Sequence, residues 1–168
     1  MRVVKAPDKE YGDRRNRLLF LAGSIEMGKA TNWQDRVAVY LADVSGTILN
    51  PRRDDWDSSW KQSLENPQFV EQVEWEFDGL EDADYVFMYF EPMTQSPITL
   101  LELGLMAQHR SYQDSDYSNI IKMLVVCPEG FWRKGDVDVV CRKYDIDQRP
   151  SLKAGMEAMN ELLKGGKR

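Results

Sequence analysis

Tyr85-Val86-Phe87-Met88-Tyr89-Phe90, followed after a short break by Ser96-Pro97-Ile98-Thr99-Leu100-Leu101-Glu102-Leu103-Gly104-Leu105-Met106-Ala107, decides how this chain folds. The first run is apolar at every position, as a strand buried on both faces of a parallel sheet is. The second opens on Ser96-Pro97, a favoured N-cap residue followed by proline at the first helical position, and reads as a helix. Glu102 is the only acid on that helix-like run and falls in its second turn, just past a strand's carboxyl end. Open α/β sheets bind ligands there. A carboxylate among leucines is costly to keep ionised unless it is partnered or working. The plain alternative is a glutamate on a helix face that reaches solvent.

Outward from this pair, apolar runs and helix-like segments alternate along the chain. Strands are expected at Leu18 to Ala22, Thr47 to Leu49, Tyr85 to Phe90 and Ile121 to Cys127, with a weak fifth around Tyr144 to Ile146. Helices are expected at Trp33 to Ala42, Gln68 to Gly79, Pro97 to His109, Val137 to Tyr144 and Leu152 to Leu163. This order implies a doubly wound α/β fold: four to five parallel strands with helices on both faces. Residues 1–16 are charged and aperiodic and read as an arm or partly ordered edge. Residues 17–164 form a single domain, and residues 165–168 should fray. Asn66-Pro67 repeats the Ser96-Pro97 grammar before the helix carrying Gln72, Trp75 and Glu76. Phe69, Val73 and Phe77 read as its buried stripe, with Gln72 and Glu76 four apart on a shared face.

The chain has 168 residues, 22 Lys+Arg and 28 Asp+Glu, and its net charge of -6 argues against a nucleic-acid polymer or membrane surface as partner. A small anionic ligand held locally remains compatible. Cys127 and Cys141 have no metal-like spacing, and no secretory pattern or long apolar stretch is seen, so a reduced cytoplasmic setting is expected. His109 is the lone histidine, which disfavours triad chemistry and a His-rich metal site. Near a helix end it more often favours the dipole than does catalysis. No metal or cofactor is called for.

Three constellations could carry chemistry. Gly23-Ser24-Ile25-Glu26-Met27-Gly28-Lys29 has the glycine and lysine spacing of a phosphate-binding P-loop, but Ala30 stands where a magnesium-ligating hydroxyl belongs. The milder reading is small residues that let backbone N–H groups approach a ligand, or a turn that merely needs glycine. Asn50-Pro51-Arg52-Arg53-Asp54-Asp55-Trp56-Asp57, with Trp60 close behind, follows the second expected strand. Arginine forks and tryptophan faces suit a planar, polar ligand such as a nucleobase, and the alternative is a solvated charged loop. Glu76 and Glu102, on consecutive helices flanking one strand, could reach one pocket as the two carboxylates of glycosyl transfer. Glu76 by itself could equally be a surface glutamate. Asp82 and Asp84 read as turn and strand-entry residues.

Leu19-Phe20-Leu21-Ala22-Gly23-Ser24-Ile25, Asn50-Pro51-Arg52-Arg53, Gln72 to Asp84 and Ser96 to Gly104 together resemble the nucleoside 2-deoxyribosyltransferase family, and more narrowly its 2-deoxyribosyltransferase-like branch. The resemblance runs from about Leu18 through Arg133. It implies a flavodoxin-like fold, a homodimer or higher homo-oligomer, and no metal or organic cofactor. The implied activity is cleavage of the N-glycosidic bond of a nucleoside or its monophosphate through a glutamate nucleophile. By position Glu102 matches that nucleophile, Glu76 an acid that contacts sugar or base, and Gly23 and Ser24 the substrate-binding loop. Relatives often carry a tyrosine, whose hydroxyl orients the nucleophile, where this chain has Phe20. Ser96 stands where classical transferases carry a base-binding aspartate, and there resembles the nucleotide-hydrolysing relatives, which turn a serine towards the 5′-phosphate.

The expected chemistry is a double displacement with retention. Glu102 attacks C1′, a glycosyl-enzyme ester forms, and a second base or water resolves it. Gly23, Ser24 and Glu76 would hold sugar and base, with Arg53 and Trp56 as base contacts; Ile25, Asn50, Asp54 and Ser96 are further substrate-binding candidates, Ser96 towards the 5′ end by the resemblance. The rivals are a nucleoside 5′-monophosphate N-glycosidase and a non-catalytic nucleotide-binding or sensing module on the same fold.

Overall fold

The computed structural model describes residues 1–11, 16–26, 30–112 and 121–165, the side chains of residues 109–112 excepted. Six parallel strands form one sheet: β1 (Arg2–Lys5), β2 (Leu18–Gly23), β3 (Thr47–Asn50), β4 (Tyr85–Tyr89), β5 (Lys122–Val126) and β6 (Asp147–Arg149), in the order β1-β3-β2-β4-β5-β6. Between them run α1 (Trp33–Tyr40), α2 (Pro67–Asp82), α3 (Pro97–Tyr112) and α4 (Lys134–Lys143), and α5 (Leu152–Gly165) follows β6. From β3 to β6 the sheet has the flavodoxin-like order, and the direction of winding reverses between β2 and β4.

Alternation along β4 shows how the layers form. Tyr85, Phe87 and Tyr89 pack with Trp33, Val37, Leu152 and Met156 of α1 and α5. Val86, Met88 and Phe90 pack on the other face with Trp75, Leu80, Leu103, Met106 and Val137 of α2, α3 and α4. Gly155 makes the α5 contact possible, because a Cβ there would lie 2.3 Å from Val126 Cγ2.

Three expectations change. Arg2–Lys5, read as part of an arm, adds a sixth strand in register with Thr47–Asn50. Residues beyond it lie over α2, where Trp75 Nε1 donates to the Asp8 carbonyl at 2.8 Å. The last strand falls at Asp147–Arg149, just after the segment around Tyr144 to Ile146. On α2 the buried residues are Gln72, Trp75, Gly79 and Leu80, not Phe69, Val73 and Phe77. Gly79 lets the helix close on the sheet, since a Cβ there would meet Phe20 at 2.8 Å. The expected stripe is rotated off the core. Asp84 does mark strand entry, accepting from Leu18 N at 2.8 Å. The expectations for the His109 side chain and for residues 166–168 fall outside the described residues.

Candidate active site

The carboxyl ends of β2 and β4, where the winding reverses, are joined by a compact polar knot. β2 ends on Gly23 at φ +149°, where a Cβ would come within 2.4 Å of the Tyr89 carbonyl, so only glycine fits. Ser24, fully buried, donates its N–H to the Tyr89 carbonyl at 3.0 Å and accepts at Oγ from Glu91 N at 2.9 Å. The same hydroxyl lies 2.6 Å from Ser96 Oγ and 3.0 Å from Thr94 Oγ1, and Trp33 Nε1 donates to the Ser24 carbonyl at 2.9 Å. These bonds tie the loop after β2 to the start of α3. Glu26, Met93 and Ser96, all non-glycine residues at positive φ, sit in the two loops so joined. Backbone strain of this kind collects at ligand sites.

Ser96 therefore differs from the expected N-cap. Its carbonyl accepts from Leu100 N at 3.1 Å and starts the helix, but its hydroxyl turns back to Ser24 and Thr94. Asn66 behaves as expected before α2, accepting from Phe69 N.

One and a half turns into α3, Glu102 is 6 % exposed. Burial, reinforced by the negative charge of Glu76, pushes its carboxyl well above the usual carboxylate range. Burial also pushes Glu76 up to about 7, against the opposing pull of a 2.7 Å hydrogen bond from Gln72 Nε2. The second proton of that amide goes to the Pro51 carbonyl at 2.9 Å, which fixes how Gln72 faces Glu76. Two carboxyls that feel each other, one buried and one half-buried, titrate as a pair. Phe20, at the place of the expected tyrosine, is a core residue whose ring lies 6.1 Å from Trp75. Among the described residues no side chain donates to the Glu102 carboxylate.

Both acids open onto a cavity of about 410 Å³, in the range of small-molecule sites. Phe69, Val73 and Phe77 of α2 and Ile98 and Leu101 of α3 make its apolar walls. The residues expected to form a core stripe thus face a ligand space. Arg53 and Trp56 line it as well. Arg53 grips Asp55 through Nε and Nη2, at 2.7 and 2.9 Å, and its guanidinium lies 5.0 Å from the centre of the Trp60 ring. Its Nη1 faces Glu71 Oε2 at 3.7 Å, and among the described residues Arg53 Nη1, Trp56 Nε1 and Gln72 Oε1 are buried without a hydrogen-bond partner. Trp56 Nε1 and Gln72 Oε1 thus leave a donor and an acceptor in a cavity with largely apolar walls.

Of the residues singled out from sequence, Gly23, Ile25, Arg53, Trp56, Glu76, Ser96 and Glu102 share this cavity. Ser24 stands behind it, its hydroxyl spent on the knot. Two others lie elsewhere. Asn50 is buried and accepts from Arg52 N at 3.0 Å, which shapes the turn after β3. Asp54 is exposed and pairs with Lys5 at 2.6 Å. Gly28 and Lys29, on which the P-loop spacing depends, lie outside the described residues. Among the described residues no group of three or more His, Cys, Asp or Glu side chains could hold a metal, and no helix is long and apolar enough to cross a membrane. Sequence reasoning passed over Glu26, Gln72 and Thr99, which also line the cavity. Gln72 alone carried a local signal, four residues before Glu76 on one helix face.

Residues 16–113, more than half of the chain and all of the cavity lining, match a family described as nucleoside 2-deoxyribosyltransferase like. No curated protein matches the chain.

Proposed function

The chain belongs to the nucleoside 2-deoxyribosyltransferase-like family, and on that footing we propose that it breaks the N-glycosidic bond of (deoxy)nucleosides, with Glu102 as nucleophile. The observation that carries the reading is a buried glutamate opening onto the same cavity as Gly23 and Glu76, at the carboxyl edge of the sheet. Glu102 attacks C1′ as the C1′–N bond breaks, and the bonding pair leaves with the base. Glu76, held near neutrality, gives the base its proton. The product is a glycosyl ester on Glu102, which a second base or water opens as Glu76 takes a proton back. Catalysis on this reading needs one proton on the pair, carried by Glu76. Burial raises Glu102 further still, so the proton must be placed on Glu76 as substrate binds. Positive charge developing on the sugar favours an ionised Glu102 at that moment.

Arg53, Trp56 and Gln72 supply the edge contacts for the base, and Phe69, Val73 and Phe77 pack on its face. The protein works as a homodimer or higher homo-oligomer. Ile98, Leu101 and Leu105, 58 %, 51 % and 49 % exposed, form one stripe on α3 beside the cavity mouth, and a second copy would cover it. Chromatography of a mixed (deoxy)nucleoside panel, with and without an acceptor base, tests the reading. Free base or an exchanged nucleoside supports it, and intact substrates throughout refute it.

One observation favours a second reading. Phe20 supplies no hydroxyl and no described side chain donates to Glu102, as would suit a pocket that binds nucleosides without turnover. Calorimetric binding with no base released would establish that alternative.

A further inference from the structure

Where a negatively charged 5′ group would be received, this chain has already placed a carboxylate of its own. Glu26 Oε1 accepts from Gln95 N at 2.8 Å and from Ser96 N at 2.6 Å, the backbone donors that open α3. The contact joins residues 69 and 70 positions apart and is held by Glu26 at φ +48° and Ser96 at φ +45°. Both side chains line the cavity that holds Glu102. Ser96 precedes Glu102 by six residues, roughly 9 Å along the helix axis, which leaves room for one pentose between nucleophile and helix start.

The neighbouring hydroxyls are spent as well. Ser24, Thr94 and Ser96 hydrogen-bond one another, at 2.6 to 3.0 Å. Of the two arginines that line the cavity, Arg52 bonds the Ala30 and Thr31 carbonyls, and the charge of Arg53 is balanced by Asp55 and, at 3.7 Å, by Glu71. Glu26 Oε2 has no hydrogen-bond partner among the described residues, so it is the acceptor open to a hydroxyl proton.

We propose that Glu26 determines specificity at the sugar's 5′ end, accepting a hydroxyl there and rejecting a phosphate. The substrate class is thus the nucleoside rather than its 5′-monophosphate. This rests on the reading of Glu102 as nucleophile, and it departs from the 5′-phosphate role that Ser96 suggests from its position alone. A phosphate would meet a like charge on the donors it needs, and no serine hydroxyl is left over for it.

The test compares thymidine, 2′-deoxyadenosine, 2′-deoxyguanosine and 2′-deoxycytidine with their 5′-monophosphates, on the full chain and on Glu26→Gln. Glutamine keeps an Oε1 to accept from Gln95 and Ser96 but removes the charge. Wild type should release base from the nucleosides with kcat/KM at least about tenfold above the monophosphates, and Glu26→Gln should shrink that ratio by about tenfold or more. Wild-type preference for the monophosphates, or an unchanged ratio in a folded Glu26→Gln, overturns the inference. If Glu26→Gln fails to fold, the wild-type ratio decides alone. If no probe loses its base, the chemical reading fails separately, and calorimetry on the same pairs decides. Tighter nucleoside binding upholds the role of Glu26; equal or tighter monophosphate binding, or none, overturns it.

Discussion

Replacing Glu76 by glutamine should make the protein more stable, but only where Glu76 has lost its proton. In the unfolded chain this carboxyl titrates near 4.5, and burial in the fold pushes it up to about 7. Between those values the folded protein keeps a proton that the unfolded chain has lost. Stability therefore declines as pH rises through that window and levels off above it. The separation corresponds to about 3 kcal/mol of stability at pH 8. Glutamine has the same shape, and its Oε1 can still accept from Gln72 Nε2, which bonds Glu76 at 2.7 Å. Glu76→Gln should then match wild type within about 0.5 kcal/mol at pH 4 and exceed it by up to about 3 kcal/mol at pH 8. In a thermal scan the gain at pH 8 is roughly 6–12 °C for a chain of this size. Loss of the Glu76 charge also eases ionisation of Glu102, which acts in the same direction. Urea unfolding followed by tryptophan fluorescence at both pH values reads the effect. An equal difference at pH 4 and pH 8, or a less stable variant at pH 8, would refute the reasoning.

The same carboxyl pair sets the pH profile of catalysis: kcat/KM should be bell-shaped, and Glu76→Gln should remove the limb on which Glu76 gives up its proton. Gly155→Ala should destabilise by roughly 1–3 kcal/mol in chemical unfolding, because the new methyl would lie 2.3 Å from Val126 Cγ2. Helix propensity alone gives the opposite sign, a gain of up to about 1 kcal/mol. If α3 carries the proposed contact between copies, Leu101→Glu with Leu105→Lys should sediment as a monomer where wild type does not, with the unfolding midpoint of the subunit in place, since both side chains are half exposed. An unchanged sedimentation coefficient sinks the α3 interface.

Elements whose local pattern matches their tertiary role were legible, and those set by distant partners were not. β4 and α3 could be read directly, because a strand buried on both faces and a proline-started helix each have a local signature. β1 could not, since Arg2-Val3-Val4-Lys5 is four residues of an edge strand that pairs with the distant β3. On α2 the reading failed for a more general reason. Phe69, Val73 and Phe77 recur at helical spacing whether they face a core or the wall of a cavity. What discriminates the two is Gly79 under Phe20, a contact between the helix and the sheet. Asn50 and Asp54 shared a motif with Arg53, yet adjacency in sequence does not fix the direction of a side chain. Asn50 turns into the fold and Asp54 out to Lys5. Glu26 had no local signal at all, because its partners lie across the sheet in the loop before α3.

On the proposed reading the Glu102 carboxylate forms the bond to the sugar. Initial rates of base release by Glu102→Gln and by wild type, on the best nucleoside of the panel and with both proteins shown to be folded, measure this most directly. A loss of roughly a thousandfold or more is expected, with nucleoside binding retained. A folded Glu102→Gln that releases base at the wild-type rate would contradict it.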